Sequence, residues 1–398
     1  MIHSLRKGAK LRDLVEFGMG RTARRTYELE DISIVPSRRT RSSKNVSTAW
    51  QIDAYRFESP ILNHPTDALG SPESVIEMGR LGALGVLNGE GLWARHANPD
   101  EKIAELVDIA ENDPDPAAAV RHLQKLHAAP VNPDLLAQVV RQVRDAGVTT
   151  AVRVSPQNAP DLAPGIIAAG AELLVVHGTI ISAEHVILVD RGSDDGLVAE
   201  PLNLKTFISD LDIPVIAGAV HDHRTALHLM RTGAAGVIVG YGSAEGATTT
   251  GEVLGIGVPM ATAIADAAAA RRDYLDETGG RYVHVIADGD IHMSGDLAKA
   301  IACGADAAVL GTPLASAASA PGRGWYWPSA AAHPSTPRGA LLQVAEESER
   351  ASLDVVLNGP SDDPDGLLNF VGGLRRSMAK AGYSDLKEFQ KVGLSVRG

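Results

Sequence analysis

One cysteine, Cys303, in 398 residues excludes an internal disulfide and the stapled folds of small secreted proteins. Aromatic residues are scarce at 4%, too few for an aromatic-rich sandwich. The 40 glycines and many alanines suit closely packed helix–strand units. No apolar run reaches the ~18 residues of a membrane span. The first residues lack the apolar core of a signal peptide, so a cytoplasmic protein with no membrane partner is expected. Positive charge is also short: 37 Lys and Arg against 49 Asp and Glu leave a net charge of −12, which argues against nucleic acid as a partner. The exception is local. Residues 1–25 hold Arg6, Lys7, Lys10, Arg12, Arg21, Arg24 and Arg25, a basic N-terminal extension read as solvated or interface-forming.

A short phrase recurs along the rest of the chain: a helix end, a glycine able to stop the helix, then a continuous apolar run. The copies are LGALGVLN (81–88), AGVTTAVRV (146–154), AGAELLVV (169–176), TGAAGVIVG (232–240) and CGADAAVLG (303–311). Runs of this length without alternation predict strands covered on both faces. PILN (60–63), IPVIAG (213–218) and VHVIAD (283–288) complete eight strands. Helical patterns lie between most of them, as at 71–81, 134–146, 223–232 and 294–303. Eight alternating units predict an α/β fold, a (β/α)8 TIM barrel, over a doubly wound open sheet. The Pro-rich segments 113–118 and 130–134 mark loops between extra helices in the 89–148 stretch, and 316–367 reads as an irregular, flap-like excursion beyond the last strand.

Barrels of this kind bind ligands at the carboxyl ends of their strands, with phosphate often held after strands seven and eight. Those places read ADGDIHMSGD (287–296) and GTPLASA (311–317), each with a glycine just past the strand. Backbone N–H groups at Gly289, Gly311 and Thr312 can then face an anion. Asp288 can accept from sugar hydroxyls or serve as a turn residue, and local pattern does not separate the two. With the Gly-rich loop GYGSAEGATTTGEVLG (240–255) after strand six, the segments point to a phosphorylated, sugar-containing ligand.

Several ordered motifs then carry a resemblance: TYELEDISIVPSRRT (26–40), PILNHPTDAL (60–69), RLGALGVLN (80–88), GVPMATAIADAAAARRDY (257–274), IADGD…SGDLAKAIACGADAAVLGTPLA (286–315) and GGLRRSMAKAGYSDLKEFQ (372–390). In this the chain resembles the IMP dehydrogenase/GMP reductase family, in particular its related paralogues without the inserted pair of CBS modules. The 89–148 stretch is too short for such a pair. The resemblance implies one catalytic-type barrel over 26–398 with N- and C-terminal extensions. It further implies a purine nucleotide (IMP, GMP or XMP) as ligand, NAD or NADP as cofactor, and a homo-oligomer, commonly a tetramer. The reaction implied is NAD(P)-linked redox at purine C2.

The family's reaction starts from a cysteine in the loop after strand six, in a pattern close to Gly-x-Gly-Pro-Gly-x-x-Cys-Thr-Thr-Arg. A thiolate is both strongly nucleophilic and a usable leaving group. Here Ala247 or Thr248 falls at that position, depending on where a one-residue length difference is placed. A threonine hydroxyl is hardly ionised at neutral pH and needs a base that the sequence does not identify. Other departures cluster around the same site. Asp290 stands where the family has a second glycine after strand seven, and its carboxylate repels phosphate unless it turns outward. Ala219 replaces an asparagine after strand five. His177-Gly178-Thr179 replaces an Asp-containing cofactor segment after strand four, and Thr66 replaces a methionine beside a retained Asp67. These departures also put the family's monovalent cation in doubt.

The expected nucleotide contacts are therefore Thr66, Gly242, Gly246, Thr249, Asp288, Gly289, Gly311 and Thr312, with His177, Gly178 and Thr179 on the cofactor side. The excursion segment PGRGWYW (321–327) offers Arg323 and Tyr326 as flap candidates, against a plain aromatic cluster at a subunit contact. His221, His223 and His228 sit at a predicted helix start with spacing that aligns poorly for a metal. Cys303 reads as a structural thiol at a helix end. The leading expectation is an oxidoreductase of this family with its nucleophile replaced. The alternative is a non-catalytic, purine-nucleotide-binding regulatory paralogue, and a third is a phosphosugar or flavin barrel.

Overall fold

A computed structural model describes residues 14–179, 181–190, 197–242, 254–333 and 339–397, with backbone only for 184–190 and 197–201. All eight predicted strands are present and parallel: β1 (Ile61–Asn63), β2 (Val86–Asn88), β3 (Ala151–Val154), β4 (Leu173–His177), β5 (Val215–Val220), β6 (Gly236–Val239), β7 (His284–Ala287) and β8 (Ala307–Leu310). Sheet neighbours run in sequence from β2 to β8, and β8 pairs with β1. A parallel bridge between Leu62 and Leu84, with the Leu84 amide donating to the Ile61 carbonyl at 2.9 Å, closes β1 on β2. The sheet is a closed (β/α)8 barrel.

The apolar runs are strands because they are covered on both faces: every residue of β3, β4, β5, β6 and β8 is buried. Helices begin where the local chemistry allows. In α1 (Pro72–Arg80) the Ser71 side chain accepts from the Ser74 amide and Pro72 occupies the first turn, where it loses no helical hydrogen bond. The Asp222 carboxylate caps α7 (His223–Met230) from the Arg224 and Thr225 amides. Three further helices, α2 (Pro99–Asn112), α3 (Ala118–His127) and α4 (Pro133–Asp145), fill the stretch between β2 and β3. Helix α5 (Ala159–Ala169) joins β3 to β4, α6 (Leu204–Ser209) precedes β5, the long α8 (Met260–Thr278) follows β6, and α9 (Ser294–Cys303) joins β7 to β8.

The amino-terminal end of the barrel is plugged. The hairpin Trp50–Ile52/Tyr55–Phe57 lies there, and Ile52 is fully buried beside Gly236 at the start of β6. Next to it, Asp306 accepts from Arg271 on α8, from Tyr282 Oη at 2.6 Å and from the Val285 amide at 2.9 Å. A carboxylate this well paired can be buried without a large penalty. Near the chain ends, strand Leu394–Val396 pairs antiparallel with Ile32–Ile34. A hairpin of Glu184–Asp190 with Leu197–Asn203 follows β4; the repeated helix–glycine–strand phrase does not anticipate it, because no helix end precedes it.

Candidate functional site

The carboxyl ends of β1, β4, β6 and β7 bring five side chains together. His64 follows β1, His177 ends β4, Tyr241 follows β6 and Asp288 follows β7. Tyr326 comes from the excursion, where Trp325–Tyr326 pairs with Leu342–Gln343. His64 Nδ1 lies 3.3 Å from Asp288 Oδ1 and 3.2 Å from Oδ2; since an ionised carboxylate only accepts, Nδ1–H is the donor. His177 Nε2 stands 3.5 Å from Asp288 Oδ2. The His177 and Tyr241 rings lie 4.8 Å apart at a 40° tilt, and His64 meets Tyr326 edge-on at 6.4 Å.

Asp288 is only 2% exposed, and the four rings around it are buried as well. Burial, with the neighbouring His64 and Arg153, pushes His177 well below its usual range, so it is neutral at pH 7. Burial likewise raises the Tyr326 and Tyr241 hydroxyls, with Asp288 adding to the rise at both. His64 Nε2, His177 Nε2 and Tyr326 Oη have no hydrogen-bond partner among the described residues. Three such atoms at one point are a cost, about 1–3 kcal/mol for each unsatisfied group.

The loop glycines are needed where they touch this cluster. Gly240 has φ +87, and a Cβ there would meet the Asp288 carbonyl oxygen at 2.4 Å. The Gly242 amide donates to that same carbonyl at 3.0 Å. Gly289 presses on the Gly242 carbonyl, and Gly311 lies under the Tyr326 hydroxyl, 3.1 Å from the position of a Cβ. Thr312 opens the short helix Thr312–Ala315 and its Oγ1 is 3.4 Å from His292 Nδ1.

Two cavities flank the closed cluster. One, of about 490 Å³, lies outside β2–β4 and is lined by Glu90, Arg153, Ser155, Asn158, Gly178 and Thr179 among others. Its wall is keyed by a buried ion pair, Arg153 Nη1 to Glu90 Oε2 at 3.2 Å, while Arg153 Nη2 donates to the His177 carbonyl at 2.8 Å. Burial works to raise the Glu90 carboxyl, but Arg153 and hydrogen bonds from Asn158 and Ser155 outweigh it and hold it below its usual range. The other cavity, about 920 Å³, lies beside β7 and β8. Thr312 is on its wall, together with Glu28, Glu30, Asp290 and Asp296. Asp290 thus faces the cavity where phosphate was expected. Burial raises the Glu28 carboxyl, and Asp290 adds to it.

A model of the IMP dehydrogenase/GMP reductase domain matches residues 26–397. The chain belongs to the IMP dehydrogenase/GMP reductase family. An "uncharacterized oxidoreductase" of Mycolicibacterium smegmatis is 75% identical over 383 residues, covering 96% of this chain and all of the relative. An inosine-5'-monophosphate dehydrogenase of Thermoplasma acidophilum is 24% identical over 461 residues, covering 93% and 91%. The crystal structure of an IMP dehydrogenase/GMP reductase-like protein from Corynebacterium glutamicum superimposes with a TM-score of 0.88 at 59% identity, over 97% of this chain and 98% of that one.

Set against the family expectations, Asp288, Gly242, Gly289, Gly311 and Thr312 all lie at the mouth. Gly246, Ala247, Thr248 and Thr249 fall in 243–253, outside the described residues. Thr66 is buried and occupied, its Oγ1 donating to the Trp327 carbonyl at 2.6 Å. Asp67 accepts from the Leu92 amide at 3.0 Å and lies 3.0 Å from His127 Nε2. Gly178 and Thr179 line the β2–β4 cavity, whereas the His177 ring turns inward to Asp288. Arg323 and Tyr326 do not meet. Arg323 is exposed beside Asp100, Glu347 and Arg350, and Tyr326 is at the mouth. Ala219 is buried within β5. His223 Nε2 reaches Asp273 at 3.1 Å, His221 is held low by burial and bonds the Thr179 backbone, and His228 is in the last turn of α7. Cys303 ends α9, at the amino-terminal side of the barrel, and burial pushes its thiol up to about 11.

His64, Tyr241, Glu90 and Arg153 were missed by the sequence reading. Arg153 carried a signal, a lone charge inside the buried run AVRV. His64 and Tyr241 carried none, because their meaning arises only when four strand ends converge.

Proposed function

We propose that the chain binds a purine nucleotide at the barrel mouth and does not perform the thiolate-dependent redox step of its family. The observation that carries this is the place of its one cysteine. Cys303 lies at the far end of the barrel with its thiol raised to about 11, and 240–255 contains no other. Without a thiolate at the mouth, no covalent bond to purine C2 forms by the family's route.

Support for a ligand comes from the mouth itself. Buried nitrogens of His64 and His177 and the Tyr326 hydroxyl lack partners among the described residues, and ribose hydroxyls on Asp288 would supply them. Binding requires the cluster to open: Tyr326 moves off Gly311, and the sugar takes over the acceptor sites of Asp288 from His64. Backbone N–H groups of Gly289, Gly311 and Thr312 would face the phosphate, with Gly242 on the wall and Gly246 and Thr249 from the loop, while Thr66 acts behind the wall by holding the Trp327 carbonyl. Glu28 and Asp290 weaken a dianion there.

A second reading, NAD(P)-linked redox at purine C2 by a route without a thiolate, is favoured by the cavity beside β2–β4. Its 490 Å³ is in the lower part of the ~300–1,000 Å³ range of ligand pockets and suits one half of a dinucleotide. The cofactor would supply hydride exchange at its nicotinamide. This chain's part would be to hold the ribose on Thr179, Ser155 and Asn158 and to keep Arg153 fixed by Glu90.

Calorimetry with IMP, GMP and XMP tests the site. Heat that is lost in Asp288→Asn is expected for at least one of them, and no heat at millimolar concentration would sink the purine reading. Thr248→Cys and Ala247→Cys, alkylated with and without nucleotide, show which position stands in the nucleophile's place. Protection by nucleotide at one of the two is expected.

A further inference from the structure

The floor of the barrel, at the end away from the mouth, holds a cavity of about 430 Å³ that the nucleotide reading leaves unused. It lies between the hairpin Trp50–Ile52/Tyr55–Phe57, the start of β7 and the short helix Leu386–Phe389. Trp50, Tyr282 and His284 line it together. The His284 ring makes T-shaped contacts with both of the others, at centroid distances of 5.9 and 5.0 Å. The volume is within the ~300–1,000 Å³ of small-molecule sites. Chemistry in this fold sits at the carboxyl ends of the strands, so a cavity at the opposite end is a place to bind and not a second active site.

Two groups on the lining lack the partner that their chemistry calls for. Trp50 Nε1–H can only donate, so its 3.1 Å bond to His284 takes up the lone pair of Nδ1. The neutral ring then carries its proton on Nε2, and no acceptor for that proton stands among the described residues. Lys387 is exposed, with its Nζ 4.3 Å from the centroid of the Tyr282 ring. Among the described residues no carboxylate is within ion-pair reach of it, and an exposed cation–π contact is weak enough for an anion to displace. The acids nearby are differently placed. Asp306 is taken up by Arg271, Tyr282, Val285 and Gln390. Asp385 caps the short helix by accepting from the Glu388 amide at 2.9 Å, and Asp53 is exposed at the hairpin turn. Two carboxylates on the lining repel a dianion about twice as strongly as a monoanion. The geometry points to a planar heteroaromatic monocarboxylate as the ligand of this cavity: its ring lies against the aromatic wall, a ring nitrogen accepts from His284 Nε2–H, and its carboxylate meets Lys387. This requires nothing of the nucleotide reading, because Asp288 lies past the other end of β7.

Calorimetry on the full-length protein, with quinoline-3-carboxylate as the probe, provides the test. A Kd of about 1 mM or tighter is expected. 2-Naphthoate, which lacks the ring acceptor, and quinoline-3-carboxamide, which lacks the charge, should each bind on the order of threefold or more weakly. Lys387→Ala, a change at an exposed side chain, should keep the wild-type circular dichroism and Tm. It should weaken both carboxylates by a similar factor and leave the carboxamide unchanged. Asp288→Asn should bind the quinoline as wild type does, which separates this site from the mouth. Imidazole 15N spectra of the free protein should show the His284 proton on Nε2. The assignment is overturned by no heat from the quinoline, by equal binding of the three probes, by unchanged affinity in Lys387→Ala, or by a His284 proton on Nδ1. Tighter binding of UMP, a phosphate dianion, than of the quinoline in Asp288→Asn would overturn it as well.

Discussion

Asp288 shows how one residue changes meaning with its neighbours. At the end of a strand it can cap a turn or take a sugar; in the fold it is buried, bonded by His64 and 3.5 Å from the His177 ring nitrogen. Tyr326 Oη is the sharpest probe of that closed state. Removing a buried hydroxyl that has no partner is neutral or stabilising, so Tyr326→Phe should leave the urea midpoint unchanged or raise stability by about 1 kcal/mol. A loss of that size would instead mean that the hydroxyl is bonded within residues 243–253. The Glu90–Arg153 pair predicts the opposite. Arg153→Met strands a buried carboxylate and should cost about 3–5 kcal/mol in urea unfolding, whereas the double variant Arg153→Met/Glu90→Leu should recover most of it. Additive losses would contradict the pairing.

At the scale of elements, the strands were legible because each is a short, continuous apolar run punctuated by a glycine after a helix, as at Gly233 and Gly304 with φ of +101 and +121. The hairpin after β4 carries no such punctuation, and the pairing of Trp325–Tyr326 with Leu342–Gln343 is too short to leave a period. The mouth was half legible. Topology alone delivers Asp288 and Thr312 to the strand ends, but the partners of Asp288 come from β1 and β4, more than a hundred residues away in sequence.

The floor of the barrel offers an elemental pH test. Trp50 Nε1 donates to His284 Nδ1 at 3.1 Å, which requires that nitrogen to be unprotonated. Burial pushes His284 down to about 4, against the opposing pull of Asp306. The unfolded chain therefore binds the extra proton first. Stability from this group is complete above pH 6.5 and is lost as pH falls toward 4, by up to about 3 kcal/mol. His284→Gln, which keeps an acceptor for Trp50, should flatten the pH dependence of Tm over that interval. An unchanged slope would remove His284 as its source.

At the scale of the whole molecule, the chain is a family barrel whose mouth has been rebuilt. Four carboxylates stand at the β7–β8 cavity, aromatic and histidine rings close over Asp288, and the single thiol sits at the opposite end. No helix among the described residues is long and apolar enough to cross a membrane. The proposed reading, a barrel that holds a ligand without the family's covalent chemistry, rests on this rebuilt mouth.

That account is tested most directly by absorbance at 340 nm. The protein, saturated with each nucleotide that binds in calorimetry, is mixed with NAD, NADP, NADH or NADPH, with ammonia also supplied in the oxidative direction, where it can add at C2 as hydride leaves to NAD or NADP. The account predicts a flat trace for wild type in every pairing. A protein-dependent slope that disappears in Asp288→Asn would contradict it and show that this mouth transfers hydride without a thiolate.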